Sequence, residues 1–278
     1  RLVSGLREGV TTRATYTTAQ DVTLWPIALE TVEYLQDRGA LTAAGLSPKQ
    51  ADGAEAGLRF MFRRSGAGLI SDLSLDRLTV DFGNGAKSGA IFDVIFGGPL
   101  RGLARSAEPS QPFHSTPVPD MVGIHDNEAL LPRLRPSFEG YRLMREYFLM
   151  PERFHGLTFT DLSPAVRRST TGKLEILLLL GKRNPEISSV TARDFRLFTT
   201  PVVNLFEKEC NIVELDARAS AHVIHADRTR PLDFEIHRIL RVEDADAEGP
   251  QTEIHPLYTP DAQVGSGLVY TTERRPRR

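Results

Sequence analysis

Histidines and carboxylates in the last third of the chain are the residues best suited to chemistry. His222 and His225 stand three apart in His-Val-Ile-His, and His237 follows. On a helix such a pair shares a face and could hold a metal ion. Val223 and Ile224, then Asp227 and Pro231, instead predict a strand running into a turn. An odd separation on a strand sends the two imidazoles to opposite faces. No cysteine or glutamate completes a zinc spacing, so sheet or surface histidines are the expectation. The second group is Asp216, Asp227, Asp233 and Glu235. Glycoside hydrolysis needs two carboxylates set across a sugar bond. Asp233 and Glu235 fall on one face of an expected strand, where alternating acids on a solvated side are ordinary. Asp227, beside Arg228 and Arg230, reads as a turn stabiliser, because a short carboxylate accepts nearby backbone N–H groups.

Other chemistry is no better supported. Ser65-Gly-Ala-Gly68 and Gly83-Asn-Gly85 match neither phosphate-loop spacing and read as turns. Cys210 is the single cysteine. It has no histidine nearby to activate it, and the expectation is a buried or edge thiol. The reading is therefore of a chain with no catalytic residue, no metal site and no cofactor. Trp25, the single tryptophan, is expected to fill its own core, with a partner anchor as the alternative. The basic run Arg274-Arg-Pro-Arg-Arg278 reads as a solvated loop.

The elements that would carry these residues are mostly strands. Leu58, Phe60 and Phe62 alternate with Arg59, Met61 and Arg63, and Leu78, Val80 and Phe82 with Arg77, Thr79 and Asp81. Leu174 to Leu180 is almost wholly apolar, as in a strand buried on both faces. Leu232, Phe234 and Ile236 alternate with Asp233, Glu235 and His237. Helices are predicted over Lys87 to Phe96, where Ile91, Val94 and Ile95 share a face, and over Pro201 to Lys208, capped by Thr200.

The densest packing pattern is GYRLMREYFLMPERF, from Gly140 to Phe154. Ser137 is placed to cap a helix, with Glu139 in its first turn. Tyr141, Met144 and Phe148 recur at helical spacing, with Tyr147 beside them. Pro151 stops the helix, and Phe154, Leu157 and Phe159 follow in extended chain. Intrachain packing is the expectation for Tyr147, Phe148 and Phe154. Between Glu108 and Pro136 lie six prolines, counting Pro109, Pro112, Pro117, Pro119, Pro132 and Pro136. This predicts three parts: a strand-rich domain with one helix over 1–107, a proline-rich connection over 108–136, and a second strand-rich domain opening with a short helix over 137–278. A further break is expected from Asp244 to Gln251. The fold class is α+β and strand-rich, with sheet or sandwich-like domains and a few short helices.

Composition narrows the functional classes. The chain has 278 residues, 40% hydrophobic and 25% charged, with a formal net charge of -2. That is a globular composition, with no basic field for a nucleic-acid backbone. No apolar run approaches the roughly 20 residues that span a bilayer, and no signal-peptide pattern opens the chain. A lone cysteine suits a reducing compartment.

Five segments, in order, resemble one family. They are TAQDVTLWP from Thr18 to Pro26, DNEALLP from Asp126 to Pro132, GYRLMREYFLMPERF, TPVVNLF from Thr200 to Phe206, and ADRTRPLDFE from Ala226 to Glu235. All are similar to motifs of TssF, a baseplate subunit of the bacterial type VI secretion system. The matching positions are Asp21, Trp25, Pro26, Tyr141, Glu146, Tyr147, Phe148, Pro151, Phe154, Pro201, Asn204, Phe206, Asp227, Arg230 and Pro231, for which the resemblance implies structural roles. Departures are His155-Gly156, where the family is more often hydrophobic, Ala226, where proline is common, and His237-Arg238. The resemblance implies a scaffold rather than an enzyme. Its partners would be TssG, a second TssF copy, TssK, TssE and a baseplate centred on VgrG, at the cytoplasmic side of the inner membrane. It also implies an internal fragment, lacking a helical N-terminal part and a long C-terminal one. A β-rich carbohydrate-binding or hydrolytic domain is the alternative, and converging carboxylates beside an exposed aromatic would favour it.

Overall fold

A computed structural model describes residues 1–6, 12–83, 85–108, 111–131, 139–187, 189–216, 218–245, 252–258 and 268–274. The expected cap Ser137, Asn84 of the glycine turn, most of the 244–251 break and the end of the basic tail lie outside these residues. Two compact units form: Thr18–Val203, and Arg1–Thr17 with Asn204–Arg278.

Two sheets dominate the larger unit. Their strands are β1 (Ile27–Leu35), β2 (Ala56–Arg64), β3 (Leu78–Asp81), β4 (Pro99–Ser106), β5 (His114–Thr116), β6 (Asp120–Met121), β7 (Gly156–Phe159), β8 (Lys173–Leu180) and β9 (Arg196–Leu197). The helices of this unit are α1 (Arg38–Ala43), α2 (Ser88–Phe96), α3 (Glu139–Leu149) and α4 (Ser163–Arg167). One sheet runs β1-β2-β8-β4-β5 and the other β9-β3-β7-β6. The division expected at 108–136 is therefore overturned. Strand β8 lies beyond the prolines, yet it pairs antiparallel with both β2 and β4. Prolines interrupt local regularity, but they do not stop a later strand from returning to an earlier sheet.

The apolar run of β8 is explained by its two covered faces. Leu174, Ile176, Leu178 and Leu180 enter the main core with Phe60, Phe62, Leu157 and Phe159. Leu177 and Leu179 face the other way, into a smaller core with Leu41, Leu46, Ala54 and Leu103. Phe60 bridges the two sheets, meeting Phe159 edge-on at 5.3 Å and Phe195 at 5.2 Å. The unit is a sheet sandwich, as the alternation in β2 and β3 predicts. Glu175 is the one charge on the inner stretch of β8. It is buried, and its two oxygens accept from Nε of Arg59 and Nε of Arg105, each at 2.7 Å. Arg105 also lies 4.1 Å over the Phe113 ring. In this way the acid enters the core as a neutralised group.

Close approach dictates glycine twice. A Cβ on Gly102 of β4 would lie 2.2 Å from the Thr116 hydroxyl and 2.7 Å from the Pro117 carbonyl, so any larger residue would push β5 away. A Cβ on Gly156 would lie 2.7 Å from a carboxylate oxygen of Asp81. The His155-Gly156 pair thus has a local role, with the His155 ring stacked on Phe82 at 5.4 Å. At the sheet edge, a register shift between Leu29 and Thr31 bulges Glu30 outward. Glu30 reaches Lys173 at 2.8 Å and Arg63 at 3.8 Å. A bulge with charges blunts an edge strand against stray pairing.

Asp81, the last residue of β3, is pushed up to about 6 by burial, partly offset by the hydroxyl of Thr199 donating to it. An acid with a raised folded-state value binds its proton more tightly when folded than when unfolded. Its contribution to stability is full below about pH 4 and is lost as pH rises through about 6. Asp81→Asn is therefore expected to gain on the unsubstituted protein between pH 4 and 7, by at most about 3 kcal/mol. Urea unfolding at a series of pH values measures it, and parallel curves would refute it.

Helix α2 and Phe154 sit close to expectation, with Ile91, Val94, Ile95 and Phe154 buried. Phe154 itself ends a short 3-10 turn, Pro151–Phe154, rather than entering extended chain. Three expectations are corrected. The segment from Pro201 to Lys208 is not helical, and it contains the strand Val202–Val203. The Pro201 carbonyl accepts from the Ala19 N–H at 2.9 Å, which commits this stretch to extended pairing. Leu232, Phe234 and Ile236 form no strand, and Leu232 is 79% exposed. Successive N–H bonds from Arg230 to the Asp227 carbonyl and from Asp233 to the Arg230 carbonyl wind the chain into turns there. Cys210, expected as a buried or edge thiol, is exposed in a stretch that forms no strand.

The smaller unit is largely irregular. Leu2–Val3 pairs antiparallel with the strand around Tyr16. Val242–Glu243 pairs antiparallel with Glu253–Pro256, which pairs parallel with Val269–Tyr270. Phe206 meets Phe234 edge-on at 6.2 Å, and Lys208 and Arg230 place their charges over the Phe234 ring. Among the described residues, no helix is long and apolar enough to cross a membrane.

A candidate docking face on helix α3

Helix α3 carries the residues that the sequence marks for packing, and it turns them outward. Tyr141 is 69% exposed and Phe148 78%, and Met144, Tyr147 and Leu149 are each more than half exposed. The expectation of intrachain packing fails for Tyr147 and Phe148 and holds for Phe154. Tyr147 and Phe148 touch each other edge-on at 5.7 Å, and Tyr147 leans on Phe154 at 6.2 Å.

The buried side of α3 is ionic. Arg142 and Glu146 are one helical turn apart and both lie below the surface, with Arg153 from the following 3-10 turn. Glu146 accepts from Nη1 of Arg142 at 3.1 Å, forms an ion pair with Arg153, and accepts from the Leu130 N–H at 3.1 Å. Nη2 of Arg142 donates to the Ile124 carbonyl at 2.8 Å. Arg153 donates to the Glu128 carbonyl, while the Glu128 carboxylate accepts from the Gly123 N–H at 2.7 Å. Burial pulls the Arg153 guanidinium down to about 10, Arg142 adds to the fall, and Glu128 opposes it. Arg153 therefore stays charged at neutral pH. These contacts hold the helix to the loop from Gly123 to Leu130, while among the described residues Nε of Arg153 is buried without a hydrogen-bond partner. On the opposite side of the helix Met144, Phe148 and Leu149 are exposed. Fully burying one Phe or Met side chain is worth about 1.5–3 kcal/mol, so an uncovered row of such residues marks an interaction surface.

The other residues singled out from sequence do not gather. Trp25 packs against the main core and is half-buried. Asp21, Pro26, Asn204 and Pro231 are exposed, and Phe206 is half-buried on Phe234. Asp227 accepts from the N–H and hydroxyl of Thr229 at 3.0 and 2.6 Å and from Arg230 at 3.3 Å. The Thr229 hydroxyl is the largest cause holding that carboxyl below its ordinary range. Arg230 also donates to Thr12. The acids weighed for sugar chemistry are similarly occupied. Asp233 accepts from the Thr12 hydroxyl, Glu235 lies 3.9 Å from Arg274, and Asp216 accepts from the Arg218 N–H. His222 accepts from the Asp216 N–H at 2.9 Å, and the described residues hold no group of three or more potential metal ligands.

Fold and face together define a strand-rich protein with an exposed apolar helix surface. The family model described as "Type VI secretion system, TssF" matches residues 1–278, and the chain belongs to that family. Type VI secretion system component TssF1 of Pseudomonas aeruginosa is 34% identical over 273 residues, covering 95% of this chain and 43% of that protein. A chain in the cryo-electron microscopy structure of a TssK-TssF-TssG baseplate subcomplex shares the fold. It aligns with a TM-score of 0.57 at 21% identity, covering 73% of this chain and 36% of that one. The chain thus spans less than half the length of the relatives it matches.

Proposed function

We propose that this chain is part of a structural subunit of the type VI secretion baseplate wedge, working by assembly rather than by bond chemistry. It binds TssG and TssK and sits beside a second TssF copy, in a wedge that also contacts TssE and the VgrG-centred hub. Its place is the cytoplasmic side of the inner membrane. Membership of the TssF family carries the reading, and the outward apolar face of α3 supports it as a surface made for another protein. The sandwich supports it too, because a rigid, closely packed body holds several partners in fixed register while a sheath contracts.

The test is co-purification. The full-length protein, tagged and produced together with TssG and TssK, is expected to bring both down through a salt wash and gel filtration. Recovery of well-folded full-length protein without TssG would overturn the proposal.

A further inference from the structure

We infer that Glu128 is a joint coupling α3 to the two places where the chain passes between its units, so that loosening one loosens the other. The scaffold reading gives this coupling a use, since a subunit that works by assembly relays displacements. The bonds that carry it, however, belong to the chain itself. The chain passes between the units after Thr17 and after Val203. Just inside the larger unit the two passages are tied together, the Ala19 N–H donating to the Pro201 carbonyl at 2.9 Å. The next residue, Gln20, is half-buried. Its side-chain amide reaches across 108 positions of sequence to donate to the Glu128 carbonyl at 3.1 Å.

Glu128 is held through both its backbone and its side chain. Its carbonyl accepts from Gln20 and from Nη2 of Arg153, which occupies both lone pairs of that oxygen. Its carboxylate accepts from the N–H groups of Gly123 at 2.7 Å and His125 at 3.2 Å, closing the loop on itself. Arg153 pairs with Glu146 of α3, and Glu146 in turn accepts from the Leu130 N–H, two residues past Glu128. The relay therefore runs from Pro201 through Ala19 and Gln20 to Glu128, and on through Arg153 to Glu146. It joins four segments remote from one another in sequence. The regular structure of the loop from Gly123 to Leu130 is one 3-10 turn, Asp126–Glu128. Its shape is thus set by these few bonds rather than by a backbone ladder. An element held in this way opens locally at low cost, and whatever opens it releases the contacts on both of its sides.

Hydrogen–deuterium exchange of the purified full-length protein, read by mass spectrometry, tests the coupling. Gln20→Leu keeps most of the side-chain bulk and removes the donor. Peptides covering α3 are expected to exchange about three- to tenfold faster, the weight of one hydrogen bond. Coupling is reciprocal, so Glu128→Ala is expected to speed exchange at the Ala19 amide as well as in α3. In the double variant the rise in α3 should fall short of the product of the two single effects. Tyr34→Phe is the control. It removes one hydrogen bond, from the Asn184 N–H to the Tyr34 hydroxyl, in the other sheet, and it should leave the α3 rates unchanged. An α3 rate unmoved by Gln20→Leu, an Ala19 rate unmoved by Glu128→Ala, or effects that simply multiply would overturn the inference. An equal rise in Tyr34→Phe would do the same, by showing general loosening. None of these rates bears on recovery of TssG, so the coupling and the scaffold reading stand or fall separately.

Discussion

Glu146→Ala is expected to destabilise the protein by about 3–5 kcal/mol, seen as a large fall in the urea midpoint. Glu146 is 2% exposed and is the common partner of Arg142 and Arg153. Removing it strands two guanidiniums below the surface, and it also leaves the Leu130 N–H without its acceptor. Domains of this kind are stable by only about 5–15 kcal/mol, so the loss is a large share of the total. The comparison variant replaces all three ions together, Arg142→Met, Glu146→Leu and Arg153→Met. It is expected to recover most of the loss, because a packed apolar set of similar volume tolerates burial better than an unpaired charge. If Glu146→Ala costs less than about 1 kcal/mol, in the range of a surface pair, the account of α3 as a helix anchored through its ions is wrong.

Phe60→Ala is expected to cost a similar amount, about 3–5 kcal/mol, for a different reason. Phe60 is wholly buried between the two sheets, with Phe62 stacked beside it at 6.4 Å and Phe159 and Phe195 edge-on. Truncation opens a cavity that three rigid rings cannot collapse to fill. Phe148→Ala supplies the contrast, since its ring is mostly in solvent and the expected change is within about 0.5 kcal/mol. Measured side by side by chemical denaturation, the two substitutions tell a core phenylalanine from a surface one. Equal losses would show that Phe148 is covered.

The strands of the sandwich were legible because their cause is local. Arg59, Met61 and Arg63 alternate with Leu58, Phe60 and Phe62, and a two-residue period has one structural meaning. The run of β8, apolar but for Glu175, announced burial on both faces, which the two cores confirm. Helix α3 was legible too, from its periodicity and from Pro151. Its orientation was not. The rule that apolar residues face inward assumes that the opposite face is better solvated. Arg142, Glu146 and Arg153 defeat that assumption by pairing with one another below the surface, and their spacing was visible without showing that they converge. The region from Leu232 to Ile236 misled for a related reason. Its alternation looks like strand, but turns around Asp227 consume the backbone before any ladder forms. The division of the chain was least legible, because nothing near Pro109 or Pro136 reveals that Leu174 must return to pair with Phe62.

That return sets an order of events during synthesis. Strands β2 and β4 leave the ribosome long before β8, yet each borders β8 and neither borders the other. Until Lys173 to Leu180 emerges, the nascent sheet has an empty slot at its centre, flanked by Leu58, Phe60 and Leu103 with open hydrogen-bonding edges. The slot closes by insertion of a distant segment, a slow step whose waiting state invites aggregation. Chains stalled or cut short before Lys173 should therefore be sticky clients of chaperones, whereas those extending past Leu180 can shut the sheet and escape.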